Sequence, residues 1–269
     1  MTRAEYFHLK KLGLGGGLSP GALAAPALQH PLRKLRAQNS PLLNGLVAYY
    51  KFDDGSGSSL ADSSGKGNTG AWHGSLGSQW GSGIINGAGS FDGSTNYVNL
   101  GAKAGLQVED GANPFTISAW AYTTSTTTTP ARYECIVNKV GYDLQLLIDT
   151  QLQGVSNRLG IGLFVYDSSP GFHSAFDTTP ISSHTWYHAA TTYDGTTATL
   201  YVNGANVAST GAIGPLYAYG PQTYIGAAVS GTTNFMTGLV DETGIWNRCL
   251  SAGEIATLYN SGNGLAYPF

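Results

Sequence analysis

Residues 185–204 read TWYHAATTYDGTTATLYVNG, and the fold is decided there. Trp186, His188, Ala190 and Thr192 fall on one face of a period-2 run, with Tyr187, Ala189 and Thr191 on the other. A second run sets Ala198, Leu200 and Val202 against Thr199, Tyr201 and Asn203. Between them Asp194-Gly195 supplies the positive-φ pair of a tight hairpin turn, and Asn203-Gly204 signals a second turn. β-branched and aromatic residues fill both runs, and strict alternation marks a sheet that is buried on one face only. The stretch predicts a hairpin in an antiparallel sheet.

Working outward, similar segments recur. Strands are expected at the alternating run from Val47 to Phe52, in short pieces over residues 72–85, and over residues 91–100, 115–122, 135–140, 144–148, 158–165, 222–226 and 238–246. Residues 53–70 form a loop rich in Asp, Ser and Gly, and the Thr124–Thr129 run reads as an exposed low-complexity loop. One helix is predicted near the end: Ser251 and Glu254 make a capping box before Ile255 and Leu258, with Gly262 just past its end.

Four of these stretches carry a resemblance. WYHAATTYDG followed by YVNG, LVAYYKFDDGSGSSLADSSGKGNTG (46–70), FDGSTNYVNL (91–100) with FTISAWAY (115–122), and LVDETGIWNRCLSAGEIATLYN (239–260) are similar, in this order, to laminin-G-like jelly rolls of the concanavalin A-like lectin/glucanase superfamily. The resemblance spans about residues 46–264. It implies an all-β, two-sheet antiparallel sandwich with one short C-terminal helix, and it leaves the activity open because this fold hosts many.

Charge divides the chain. Before Leu46 six basic residues (Arg3, Lys10, Lys11, Arg33, Lys34, Arg36) stand against Glu5; from Leu46 onward 7 basic residues face 15 acidic ones. Residues 1–45, broken by Gly15–Gly17 and by Pro20, Pro26, Pro31 and Pro41, read as an extended basic anchoring arm before a sandwich over residues 46–269. Lys10-Lys11 and the following LGLGGGLSPGALAA imitate a signal peptide, but glycines and a proline interrupt the apolar part. An arm of this composition cannot offset its ordering entropy alone, so a protein partner in a large assembly is expected to hold it. Basic residues spread without interleaved aromatics do not suit nucleic acid, and no run is long enough to span a membrane. Cys135 and Cys249, the two cysteines, are read as free thiols.

Hydrolases on this fold resemble an E-x-D-x-x-E strand, which sets two carboxylates on one face for acid and nucleophile. No such run exists here, and Asp241-Glu242, adjacent on a strand, should point to opposite faces. No G-x-S-x-G or H-E-x-x-H motif is present. The chain is therefore expected not to be an enzyme. Asp53, Asp54, Asp62, Ser63, Ser64 and Asn68 crowd one Gly-rich loop with hard oxygen donors of the kind calcium takes. The resemblance implies a structural calcium where this loop meets the closing strand, held by Asp62, Asn68 and Asp241; the competing reading makes these Asx-turn residues. His188 is expected to be a hydrogen-bonded strand residue. Trp80, Tyr166, Phe172, His173, Tyr217 and Tyr219, read as loop residues, are candidates to stack on a sugar, and no single ligand site stands out. The combined expectation is a non-catalytic structural or adhesion component of a larger assembly. It would be a virion surface, decoration or fibre protein that displays a lectin-like domain to a surface glycan. The alternatives are a secreted or cell-surface carbohydrate-binding module and, last, a glycoside hydrolase.

Overall fold

The computed structural model describes residues 40–107, 112–126, 133–139, 144–150, 160–167, 171–216, 220–228 and 233–269. Within them the strands are, in chain order, β1 (Leu46–Tyr50), β2 (Ser59–Leu60), β3 (Gly70–His73), β4 (Trp80–Ser82), β5 (Gly87–Asp92), β6 (Tyr97–Gly101), β7 (Phe115–Thr123) and β8 (Tyr133–Lys139). These are followed by β9 (Leu144–Asp149), β10 (Gly160–Tyr166), β11 (Phe172–Phe176), β12 (Trp186–Tyr193), β13 (Thr197–Val202), β14 (Ala205–Ala212), β15 (Thr223–Ile225) and β16 (Thr237–Trp246). One α-helix, α1 (Ala252–Tyr259), follows the last strand. The compact unit is Asn44–Tyr267. In the other unit, which holds residues 1–43, the described Pro41–Leu43 form one 3-10 turn. The expected arm lies outside the described residues up to residue 39, as do residues 127–132, which take in the second half of the Thr124–Thr129 run.

Two antiparallel sheets result. The first runs β14-β13-β12-β7-β16-β5-β4, with β1 also paired to β16; the second runs β11-β10-β9-β8-β15-β6-β3-β2. Alternation assigns the faces. Phe115, Ile117, Ala119 and Ala121 of β7 join Ala189, Leu200 and Val240 in the core, opposite Val98, Leu146, Ile148, Ile161 and Leu163 of the second sheet. Each buried Val, Leu, Ile or Phe among them stabilises the sandwich by about 1.5–3 kcal/mol.

The deciding hairpin forms as β12 and β13, in register Ala189↔Val202 to Tyr193↔Ala198. Its turn is longer than the sequence suggests. Only Gly195 of the Asp-Gly pair has a positive φ, at 104°. Asp194 instead accepts the N–H groups of Thr196 and Thr197 with its carboxylate, at 2.9 and 2.8 Å. The two-residue turn is Asn203-Gly204, with φ 49° and 78°, and it leads into β14, which the sequence reading did not include. Another correction concerns Trp80, Phe172 and His173, which lie in strands and not in loops, while Tyr166 ends β10. Helix α1 starts with the predicted capping box at Ser251 and Glu254, a device worth about 1 kcal/mol. It closes on Asn260 at φ 48°, ahead of Gly262. Arg248 grips Glu254 with two guanidinium nitrogens at 3.0 and 2.6 Å.

Candidate functional site

β16 is long enough to use two partners on one edge. Thr237–Val240 pair with β5, and Thr243–Trp246 pair with β1. Asp241 and Glu242 fall in the gap between them. On the other edge the register with β7 slips between Asp241 and Gly244, and Glu242 takes φ 44°. This bulge breaks the alternation expected from adjacency. Asp241 and Glu242 therefore share one buried neighbourhood with Asp53, which follows β1.

The electrostatics of that junction are unfavourable to charge. Asp241 is 0 % exposed; burial first, then Glu242 and Asp53, lift it to about 8 despite N–H groups donated by Ile85 and Glu242. Burial, with Asp53 adding to it, lifts Glu242 to about 7, opposed by the Tyr49 hydroxyl, which donates to Oε2 at 2.5 Å. The other carboxylate oxygen of Glu242 is buried and has no hydrogen-bond partner among the described residues. Asp53 is better served: burial would raise it, but Lys51 at 2.7 Å and the Gly87 N–H hold it below the usual range.

Main-chain oxygens crowd the same place. A Cβ on Gly83 would stand 2.0 Å from the Gly87 carbonyl oxygen and 2.4 Å from Asp241 Oδ2. One on Gly87 would stand 2.6 Å from the Phe52 carbonyl oxygen and 3.4 Å from Asp53 Oδ1. Glycines thus let several oxygens approach each other. Such a cradle suits a hard, oxygen-seeking cation. Among the described residues no three His, Cys, Asp or Glu side chains form a ready cage, so carbonyl oxygens would have to complete the shell.

The first loop is built differently. Asp62 accepts N–H groups from Tyr49 and Ser64 on Oδ1, at 3.1 and 2.9 Å, and from Asn68 on Oδ2 at 2.8 Å. Burial would raise its pKa, but these bonds and the Ser64 side chain bring it below the ordinary carboxylate value. Asn68 sends its amide to the Val47 carbonyl at 2.7 Å. The structure brings Asp62 and Asn68 together, whereas Asp241 keeps company with Asp53 and Glu242. Tyr49 links the two regions, its backbone N–H on Asp62 and its hydroxyl on Glu242. Sequence reasoning counted Asp53 among the loop's oxygen donors without choosing it for the ion, set Glu242 on the face opposite Asp241, and passed over the glycine pair. The available signal was Phe52-Asp53 directly after a strand, with G-x-x-x-G at 83–87.

Other nominated residues have structural partners. His188 is buried, bonded to Ser118 Oγ at 2.8 Å through Nε2, and pushed down to about 3 by burial. Trp80 packs on Trp72, and His173 bonds Asp167 at 2.9 Å. Tyr166 and Phe172 meet at 5.1 Å. Tyr217 and Tyr219 lie outside the described residues. Glu134, fully buried, is enclosed by Ser125, Thr123 and the Thr237 N–H.

Comparison with known proteins agrees with this architecture. Residues 92–256 match a laminin-G-type family model described as the concanavalin A-like lectin/glucanases superfamily. No curated protein matches the chain. Among solved structures, domain 4 of AbnA, an extracellular GH43 arabinanase from Geobacillus stearothermophilus in complex with arabinotriose, is 20% identical with TM-score 0.57, over 79% of this chain and 97% of that one. The binding domain of Paraclostridial Mosquitocidal Protein 1 is 16% identical with TM-score 0.65, over 82% and 53%. The botulinum neurotoxin serotype D binding domain is 14% identical with TM-score 0.58, over 81% and 52%. The chain spans about half the length of these two toxin binding domains.

Proposed function

The chain belongs to the concanavalin A-like lectin/glucanase superfamily, and from that premise we propose that it is a non-catalytic, glycan-recognising component of a larger assembly, displayed at a virion surface and held there by residues 1–45. The observation that carries the non-catalytic reading is the state of the described glutamates. Glu134 and Glu242 are enclosed, and Glu254 is spent on Arg248 and the helix cap. Each is thus engaged within the fold, whereas glycoside hydrolysis needs an acid facing the substrate, roughly 5–9 Å from a second one. The arm's basic excess and its prolines support the anchoring role, and Asn44–Tyr267 contains its own first and closing strands.

A calcium ion belongs to this proposal. Of the residues nominated for it, Asp241 keeps the role and takes Asp53 as partner, with the carbonyl oxygens of Phe52 and Gly87. Asp62 and Asn68 organise the loop that brings Asp53 into place. Bound there, the ion would supply positive charge to a buried acidic junction and tie β1 to β16.

A second reading, a secreted carbohydrate-binding module, is favoured by the arabinanase domain, nearly all of which this chain overlays. One experiment separates the readings. Purified full chain should bind immobilised oligosaccharides without releasing reducing ends, and protein lacking residues 1–43 should bind them equally but fail to enter the assembly. Sugar release above a blank would overturn the non-catalytic reading. Truncated protein recovered in the assembly at full occupancy would overturn the anchor.

A further inference from the structure

The outer face of the first sheet changes character within two residues. His188, Trp120 and Asp241 lie side by side across β12, β7 and β16, and all are buried, at 1 %, 3 % and 0 % exposure. Tyr259 of α1 stacks on Trp120 at 5.8 Å, and the Ile85 N–H reaches Asp241. Two positions along the same strands, Trp186, Tyr122 and Leu239 lie side by side in their turn, and this row is only half-buried. Ser90 of β5 continues it beside Leu239, which lies across the exposed Gly81 where a Cβ would stand 2.9 Å away. The three strands thus present a covered row and an open one.

The open row has the makings of a ring-stacking platform. Trp186 and Tyr122 are 5.5 Å apart at 50°, so the rings form an angled surface, and the exposed His184 stands edge-on to Tyr122 at 5.9 Å and 85°. His184 holds φ 60°, left-handed backbone that non-glycine residues adopt at a cost, fixed by its N–H donated to the Thr123 carbonyl at 2.8 Å. A strained residue is kept where the surrounding structure over-determines it, and here its ring borders the platform. Indole and phenol faces stack on the apolar face of a pyranose, while the Tyr hydroxyl, indole N–H, imidazole and Ser90 can meet its hydroxyls.

We propose that Trp186, Tyr122 and His184 form the glycan subsite of this chain, with a pyranose ring stacked on Trp186. The inference rests on the glycan-recognition reading above and gives it a location, on the sheet that carries α1. The alternative platform is the aromatic group on the second sheet, where Phe172 is 51 % exposed beside Phe164 and Tyr166.

The test uses full-length chain on an array of immobilised gluco-, galacto- and manno-oligosaccharides. Wild type should be retained, Trp186→Ala should lose about tenfold in affinity, and Phe172→Ala should bind as wild type. His184→Gly keeps Trp186 and Tyr122, removes the imidazole and relieves the backbone. It should raise the melting temperature by about 2–4 °C while weakening retention, an opposition that a purely structural residue would not produce. Undiminished binding by both Trp186→Ala and His184→Gly would overturn the subsite and leave glycan recognition standing; loss in Phe172→Ala alone would move it to the second sheet. No retention of wild type on any of these glycans would sink both. A wild-type dimer in sedimentation that Trp186→Ala dissociates, without change in glycan binding, would assign the platform to a second copy of the chain.

Discussion

The first loop and the β16 junction each hold aspartate, and the two solve the same problem in opposite ways. Asp62 collects three backbone N–H groups, and its pKa falls despite partial burial. Asp241 receives two, sits fully buried beside two other acids, and rises to about 8. Acidic residues in a sequence therefore do not announce an ion site by number. A carboxylate whose lone pairs are satisfied by its own loop stabilises the loop, whereas one left short of partners in a crowd of oxygens is poised for a cation.

The glycines sharpen this contrast and give the largest expected effect. Gly67 needs its left-handed φ of 76° but has open space around it, whereas Gly83 has ordinary backbone and no room. Gly83→Ala would push a methyl group into the Gly87 carbonyl and Asp241, costing about 3 kcal/mol, the upper end for overpacking. Gly67→Ala would cost only about 1 kcal/mol, the penalty for a left-handed alanine. Urea unfolding of the two variants measures both, and equal losses would erase the distinction between a turn glycine and a cradle glycine.

How far this was legible in the sequence depends on the range of the interaction. The hairpin of β12 and β13 and the capping box of Ser251 and Glu254 follow from local alternation and turn chemistry, the two-sheet sandwich was implied by the family resemblance, and each is present. Strand β14 was hidden because its exposed, Gly- and Ser-containing run lacks alternation. The junction was hidden for a different reason. It depends on a bulge at Glu242 and on β16 exchanging β5 for β1, and residues 53, 83–87 and 241–242 meet only after the sheet has formed. Their spacing carries no periodic signal.

The second prediction concerns the ion itself. If calcium occupies the junction at about a hundredfold over its dissociation constant, it adds about 2.7 kcal/mol to stability. A chelator should lower the melting temperature of wild type and of Asp62→Asn alike. Asp241→Asn should make the protein indifferent to chelator, because its neutral amide removes both the ligand charge and the repulsion. Chelator sensitivity that follows Asp62 and not Asp241 would return the ion to the first loop.

The smallest effect per unit change is the pH dependence, at most about 1.4 kcal/mol per pH unit for each proton exchanged, and it has opposite sign in the two regions. In chelator, Asp241 titrates near 8 in the folded chain against 3.8 unfolded. Between those values the folded chain binds the extra proton, so this contribution is fully present below about pH 4 and is lost as pH rises through 8. Glu242, raised to about 7, adds in the same direction. Asp62 is lowered, so its contribution is present above 3.8 and is lost as pH falls through its folded value. Asp241→Asn should therefore flatten the alkaline limb of the stability curve and Asp62→Asn the acid limb, each leaving the other limb in place. Calcium should flatten the alkaline limb in wild type as the mutation does, since a bound cation keeps Asp241 ionised without cost from its neighbours. An alkaline limb that persists unchanged in Asp241→Asn, measured by urea midpoints from pH 4 to 9 in chelator, would show that the junction's acids are not the groups titrating there.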